Sequence, residues 1–246
     1  MNKPQEQITP CNNAPAKGGK SITNLNFCVM KNLFKLSMAL FIGAAIFSCQ
    51  QAEEPTMDQG QAPETRAFGD TPVVAIYVET NDTNPLNAGD YTMSNGKPFA
   101  GIVELFASNV RKRTVNGVVE PTLYLNDKMT NLLENNGYLT YVKPLQDKGI
   151  KVLLTVLGDH QGIGVASMNS TQTTQFAQIL AHAVAKYGLD GIGFDDEYAD
   201  DGGSTNSTSY SEIILKLHAL MPADKLITVF DWGYTSSIST EARACI

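Results

Sequence analysis

The sequence predicts an α/β fold built on a parallel sheet or barrel, and three observations carry that expectation. Short apolar, β-branched runs alternate with helical periodicities from about residue 73 onward. The run Lys151–Leu157 is apolar almost throughout, as in strands covered on both faces. The strongest helical pattern leads straight into Leu189-Asp-Gly-Ile-Gly-Phe-Asp-Asp-Glu197, an apolar strand closing on acids. Strands alternating with helices imply parallel pairing.

In chain order, Val73–Val78 reads as the first strand, Asn81–Asn87 as a turn-rich loop and Phe99–Ala107 as the second strand. Arg111–Thr114 reads as a polar excursion. Met129, Leu132 and Leu133, then Tyr138, Tyr141, Val142 and Leu145, recur at helical spacing, with Gly137 as a break and Gly149 as the stop. After the strand Lys151–Leu157, Phe176, Ile179, Leu180, Ala183, Val184 and Tyr187 line one helical face, with Ser170 to cap its start and Gly188 its end. Gly202–Ser207 is a loop, Ser209-Tyr-Ser-Glu212 has the form of a capping box opening a helix through Leu220, and Leu226–Phe230 is a last strand. That makes about five strands.

The 246 residues carry a formal charge of −7 and are 43% hydrophobic, enough apolar material for one large core. The acidic balance argues against nucleic acid as a partner. Of four cysteines, Cys11, Cys28, Cys49 and Cys245, none falls between Gln50 and Ala244, and no metal-ligand spacing or disulfide framework is visible. Residues 1–29 are polar and unpatterned and read as a mis-called extension. Residues 30–49 place two lysines before an apolar run ending in Ser48-Cys49, the build of a secretory signal. Ile46-Phe-Ser-Cys49 resembles a lipobox, which makes Cys49 the expected lipidation site. Residues 50–68 read as a tether, and their acidic start resembles surface-export tags of Bacteroidetes lipoproteins. The expected location is the cell envelope, lipid-anchored at the outer-membrane surface of a Gram-negative bacterium. The folded body is expected over 69–246.

Strand alternation puts Ile192 and Phe194 on one face, and Gly193, Asp195 and Glu197 on the other. The two carboxyls therefore sit together at a strand's C-terminal end, where parallel-strand enzymes place their chemistry. Two acids this close repel when ionised, so one pKa should rise, as a general acid near neutral pH needs. A bare acidic run such as Asp195, Asp196, Glu197, Asp200 and Asp201 is more often a solvated loop. Here it closes an apolar strand directly after a helix, and the alternating ligands and glycine turn of a calcium loop are absent.

The segment resembles the D-G-x-D-x-D-x-E signature of family 18 of the glycoside hydrolases. It is most similar to endo-β-N-acetylglucosaminidases of the Endo H and Endo F type, which carry a Leu-Asp-Gly-x-x-Phe-Asp-Asp-Glu-Tyr-Ala run. The likeness extends from Val73–Glu79 through Lys151–Gly162 to Leu226–Phe230. One departure is plain: the first acid of the triplet is Gly193. The resemblance implies a (β/α)8 TIM-barrel fold, present here with about five of eight strands, and so a chain truncated at its C-terminal side. It also implies hydrolysis of the β-1,4 bond in the N,N′-diacetylchitobiose core of N-linked glycans, by a retaining, substrate-assisted route with no cofactor and no metal. Glu197 would be the acid and base, and Asp195 would hold the substrate acetamide and steady the oxazolinium-like intermediate. The other reading is a non-catalytic or degenerate glycan-binding surface lipoprotein; members of that kind often lack the acid glutamate.

Further substrate-side candidates follow from position. His160, in Gly158-Asp-His-Gln-Gly162, follows a strand and faces the same rim, where it suits substrate contact and loop packing equally. Asp196 and Tyr198 flank Glu197 as supporting or loop-anchoring residues. Asp231 and Trp232 follow the last strand, where Trp232 suits core packing better than sugar stacking. Glu79 and Asn109, at earlier strand ends, are weaker candidates.

Overall fold

The computed structural model describes residues 72–199, 205–232 and 237–246. Cys49 and the segments expected over 1–29, 30–49 and 50–68 lie outside the described residues, as do Asp200 and Asp201. The chain enters the fold through β1 (Ala75–Glu79) and a 3-10 turn, Pro85–Asp90, capped by the Asn84 side chain. β2 (Ile102–Val115) then runs for 14 residues and folds back antiparallel on β3 (Val118–Tyr124). This corrects two expectations. The second strand starts at Ile102 rather than Phe99, and Arg111–Thr114 is its continuation rather than an excursion. Asn116 and Gly117, at φ 51° and 81°, form the two-residue loop between Val115 and Val118. An Asn-Gly pair accepts left-handed backbone in a tight hairpin, and that local chemistry outweighs the charge of the flanking residues.

α1 (Asp127–Leu133) is capped by Asn126, whose side chain accepts from the Met129 N–H at 2.8 Å. A π turn, Tyr138–Val142, leads into the short α2 (Lys143–Gln146), and β4 (Lys151–Leu157) follows with the predicted bounds. α3 (Ser170–Tyr187) buries the six predicted residues, Phe176, Ile179, Leu180, Ala183, Val184 and Tyr187. Its cap is Asn169, not Ser170: three residues on from Asn169 stands Gln172, which returns the bond to the cap N–H, whereas Ser170 would face Thr173. Gly188 ends the helix in the left-handed conformation, φ 64°.

β5 (Gly191–Asp195) is buried at every position. α4 (Ser209–Leu220) follows, but Ser209 is its first helical residue and does not cap it. Its hydroxyl donates to the Val165 carbonyl at 2.5 Å and accepts from the Met168 N–H at 3.0 Å. Buried loop backbone needs partners, and that demand outranks the capping pattern. β6 (Leu226–Val229) and α5 (Thr240–Arg243) complete the described elements.

The strands pair in parallel in the order β1, β2, β4, β5, β6, with β3 attached to β2. The described sheet therefore has six strands rather than about five, the hairpin strand being the addition. Ile192 and Phe194 belong to the apolar core with α3 and α4, and the Phe194 ring meets Tyr210 edge-on at 5.6 Å. Each such fully buried side chain contributes about 1.5–3 kcal/mol. The fold is α/β, of the (β/α)8 barrel type. The opposite, inner face of the sheet carries Tyr77, Glu104, Thr155, Gly193, Asp195 and Thr228, placed there by strand alternation and register.

Candidate active site

Asp195 is the last residue of β5, and Glu197 stands in the loop just beyond it. Asp195 is buried, with 5% of its surface exposed, while Glu197 is half-buried. The indole N–H of Trp232 donates to Asp195 Oδ1 at 2.7 Å. Trp232 is therefore a rim residue, 44% exposed, tilted against Phe230 at 4.8 Å between ring centres. Its polar edge, not its apolar body, sets its place, which corrects the expectation of core packing. Loss of solvent around Glu197, and then the charge of Asp195, raise the Glu197 carboxyl above the ordinary glutamate range.

Glu197 is positioned through its backbone. Its carbonyl accepts from the Gly158 N–H at 2.9 Å, and the Tyr198 carbonyl accepts from the His160 N–H at 2.7 Å. Gly158 has no side chain because the loop lies directly on it: a Cβ there would come within 2.5 Å of Tyr198 C and Ala199 N. The loop after β4 is braced in turn by β2. Asn109 Nδ2 donates to the Gly158 carbonyl at 2.8 Å, and Arg111 forms an ion pair with Asp159 while lying 3.2 Å over the Tyr124 ring. The hairpin thus holds the β4 loop, and the β4 loop holds the acid.

Asn109 and His160 accordingly belong to this brace. His160, at φ 50°, sits with its ring 5.4 Å from that of Tyr198, which is itself left-handed at φ 55° and 55% exposed. Asp196 is half-exposed between the two acids, and Asp231 is exposed at the exit of β6. Glu79 is not drawn to the pair: its Oε1 accepts from Asn81 Nδ2 at 2.6 Å and from the Asn81 N–H at 3.2 Å, within its own loop.

Two residues of the inner face escaped the sequence reading. Glu104 of β2 is fully buried, and its oxygens accept from Thr155 Oγ1 at 3.0 Å and Thr228 Oγ1 at 2.5 Å. Burial raises its carboxyl above the ordinary range against the lowering effect of those two bonds. Tyr77 of β1 has its phenol raised by burial, then by the charges of Glu104 and Asp195. The available signal was a polar residue set between apolar neighbours in each of three strands: Glu104, Thr155 and Thr228.

No family model matches the chain. In sequence it is 38% identical over 172 residues to endo-β-N-acetylglucosaminidase F1 of Elizabethkingia meningoseptica, covering 67% of this chain and 49% of that protein. It is 36% identical over 180 residues to an endo-β-N-acetylglucosaminidase of Flavobacterium sp. (strain SK1022), covering 71% and 55%. The chain spans about half the length of these curated relatives. In structure it is similar to EndoBT-3987 of Bacteroides thetaiotaomicron, solved with a Man5GlcNAc product, at TM-score 0.60 and 30% identity over 74% of this chain and 44% of that one. A second structure of that protein, with a Man9GlcNAc2Asn substrate, matches at TM-score 0.58 over 75% and 48%.

Proposed function

We propose that the chain carries the acid-bearing part of an endo-acting glycosidase of family 18, cutting between the two N-acetylglucosamines of an N-linked glycan core. The observation that carries this reading is the pair itself: a buried, hydrogen-bonded Asp195 beside a Glu197 whose carboxyl is raised and whose backbone is clamped just beyond β5. Glu197, its carboxyl raised above the ordinary range, protonates the leaving glycosidic oxygen and later takes a proton from water. Asp195 Oδ1 is held by Trp232, which leaves Oδ2 to accept the acetamide N–H of the sugar. The acetamide carbonyl then attacks the anomeric carbon, and water opens the resulting oxazolinium with net retention. Retaining glycosidases that use a protein nucleophile need two carboxyls flanking the bond; here the substrate supplies the nucleophile. The Man9GlcNAc2Asn bound to EndoBT-3987 supports a high-mannose substrate.

The test is release of the glycan from a Man9GlcNAc2Asn glycopeptide by the full chain, followed by mass spectrometry, with Glu197→Gln as control. Turnover that survives Glu197→Gln overturns the assignment, and glycan binding without any turnover supports the binding-lipoprotein reading instead. The lysine-flanked apolar run ending at Ser48-Cys49 supports membrane anchorage through Cys49. Mass spectrometry of the membrane-extracted protein should then find diacylated Cys49 at the N-terminus, and an intact Met1 in a soluble fraction overturns it.

A further inference from the structure

Gly193 lies two residues before Asp195, on the same inner face of β5. The space a side chain would take there is filled from another strand. A Cβ at Gly193 would stand 2.8 Å from both Cδ and Oε1 of Glu104, and Oε2 is nearer still. No other residue type at 193 is compatible with Glu104 as placed, because every other side chain begins with that atom. The carboxyl is pinned on either side of Gly193 by residues in register with it: Thr155 on β4 and Thr228 on β6. A two-residue step along a strand is about 7 Å, so the buried acid stands one layer beneath Asp195. Tyr77, on β1, feels the charge of both carboxyls.

A fully buried acid is costly unless its position is used or its charge is suppressed. Packing alone would be served better by an apolar residue, since β2 is otherwise apolar at this level, with Val103 and Leu105 on either side. We propose that Glu104 is the positioning residue behind Asp195: an acid contributed by β2 that fills the inner layer at Gly193 and sets the charge against which Asp195 holds the substrate acetamide. This rests on the reading of Asp195 and Glu197 as the reacting pair. Of the titratable groups on this face, Tyr77 of β1 stands in register with Glu104, and Asp195 lies one layer further along β5; β4 and β6 present threonine hydroxyls. Burial raises the Glu104 carboxyl, which favours its neutral form and keeps a second charge out of the layer beneath Asp195. Once Glu104 ionises, a second negative charge stands in the layer beneath Asp195, and the rate falls on the basic side of its profile.

The experiment moves the acid from one strand to the other in the full chain. Glu104→Ala should lower kcat by about tenfold or more on the Man9GlcNAc2Asn glycopeptide with little change in KM, the signature of an interaction used in the reaction and not in binding. Adding Gly193→Asp in that background should restore most of the loss, while adding Gly193→Ala, which returns volume without a carboxyl, should not. In the otherwise unaltered chain Gly193→Asp should lower the melting temperature by about 5 °C or more, because it meets the Glu104 carboxyl; after Glu104→Ala that penalty should shrink. Glu104→Gln should keep the fold and move the basic limb of the kcat profile to higher pH, leaving the ionisation of Glu197 alone to set it. Equal rescue by Gly193→Ala and Gly193→Asp, or a Glu104→Gln profile identical to that of the unaltered chain, reduces Glu104 to a packing residue and overturns the inference. Failure of the parent reading shows separately, as turnover that survives Glu197→Gln, and the melting-temperature cycle reads the Glu104–Gly193 contact without any activity.

Discussion

Asp195 and Glu197 are two residues apart and are held by opposite means. Asp195 belongs to the sheet: it is buried, its oxygen receives the Trp232 indole N–H, and the layer beneath it is packed with Glu104, Thr155 and Thr228. Glu197 belongs to a loop, half-buried, and the bonds that fix it run through backbone, from Gly158 to its own carbonyl and from His160 to that of Tyr198. The difference matches the proposed division of labour. A group that steadies a charged intermediate gains from a rigid, partly dry setting that needs no reorganisation. A group that gives and then takes a proton needs access to the leaving oxygen and to water, so its side chain stays open while its backbone is fixed.

If that division holds, the two acids should fail differently, and the largest effect belongs to Glu197. Glu197→Gln removes proton donation and should cost about 10²–10⁴-fold in turnover of the glycopeptide. Asp195→Asn should cost less, because the acetamide still reacts without its orienting carboxylate. A larger loss for Asp195→Asn than for Glu197→Gln would reverse the assignment. Next in size is the clamp. Gly158→Ala places a methyl group against Tyr198 and Ala199 backbone, which cannot give way as a flexible side chain would. Moving the acid by about 1 Å is expected to lower kcat on the order of 10²-fold. Turnover unchanged by Gly158→Ala would mean that the loop after β5 is not held by β4.

How far the sequence foretold this arrangement depends on the range of the forces involved. β4, α3 and the faces of β5 follow from periodicity alone, because each buries one continuous apolar surface. The caps were misplaced where two polar residues compete locally: Asn169 beats Ser170 through Gln172, and Ser209 is taken by loop backbone. The hairpin of β2 and β3 was hidden by charges at Arg111, Lys112 and Arg113 although Asn116-Gly117 marked its turn. Asp195 and Glu197 were legible because they are adjacent in sequence. Glu104 was not, since its partners Thr155 and Thr228 lie 51 and 124 residues away and only the sheet register brings them together.

A smaller effect follows from burial of Glu104, and its sign is opposite to that of an ion-paired acid. Its folded carboxyl is raised by desolvation, so the folded state binds a proton more tightly than the unfolded chain. Stability is then greatest below the unfolded glutamate value and declines as pH rises from there toward the folded value. Glu104→Gln should flatten this decline, measured by urea unfolding at several pH values. An unaltered slope would mean that Glu104 is charged at little cost, and the contrast between a dry Asp195 layer and an open Glu197 loop would weaken.

The smallest effect is expected at Trp232, and it sharpens the comparison most directly. Trp232→Phe keeps an aromatic ring beside Phe230 but removes the donor to Asp195 Oδ1. A hydrogen bond to a charged group is worth about 1.5–3 kcal/mol when its loss leaves the partner stranded. Trp232 is 44% exposed, so water can replace the donor and most of that cost is recovered. Turnover should therefore fall by a factor of about ten or less, given about 1.4 kcal/mol per tenfold. Because Trp232 is the sole tryptophan, tryptophan fluorescence reports on the surroundings of this one ring. In the Glu197→Gln protein, which binds without cutting, adding the glycopeptide should change the emission as the acetamide N–H joins the indole N–H on Asp195. The change should vanish in the Glu197→Gln, Asp195→Asn double variant if the carboxylate is what couples ring to sugar. A fluorescence response that persists without Asp195 would show the ring touching the sugar itself, and Trp232 would then be a stacking platform rather than the tether of Asp195.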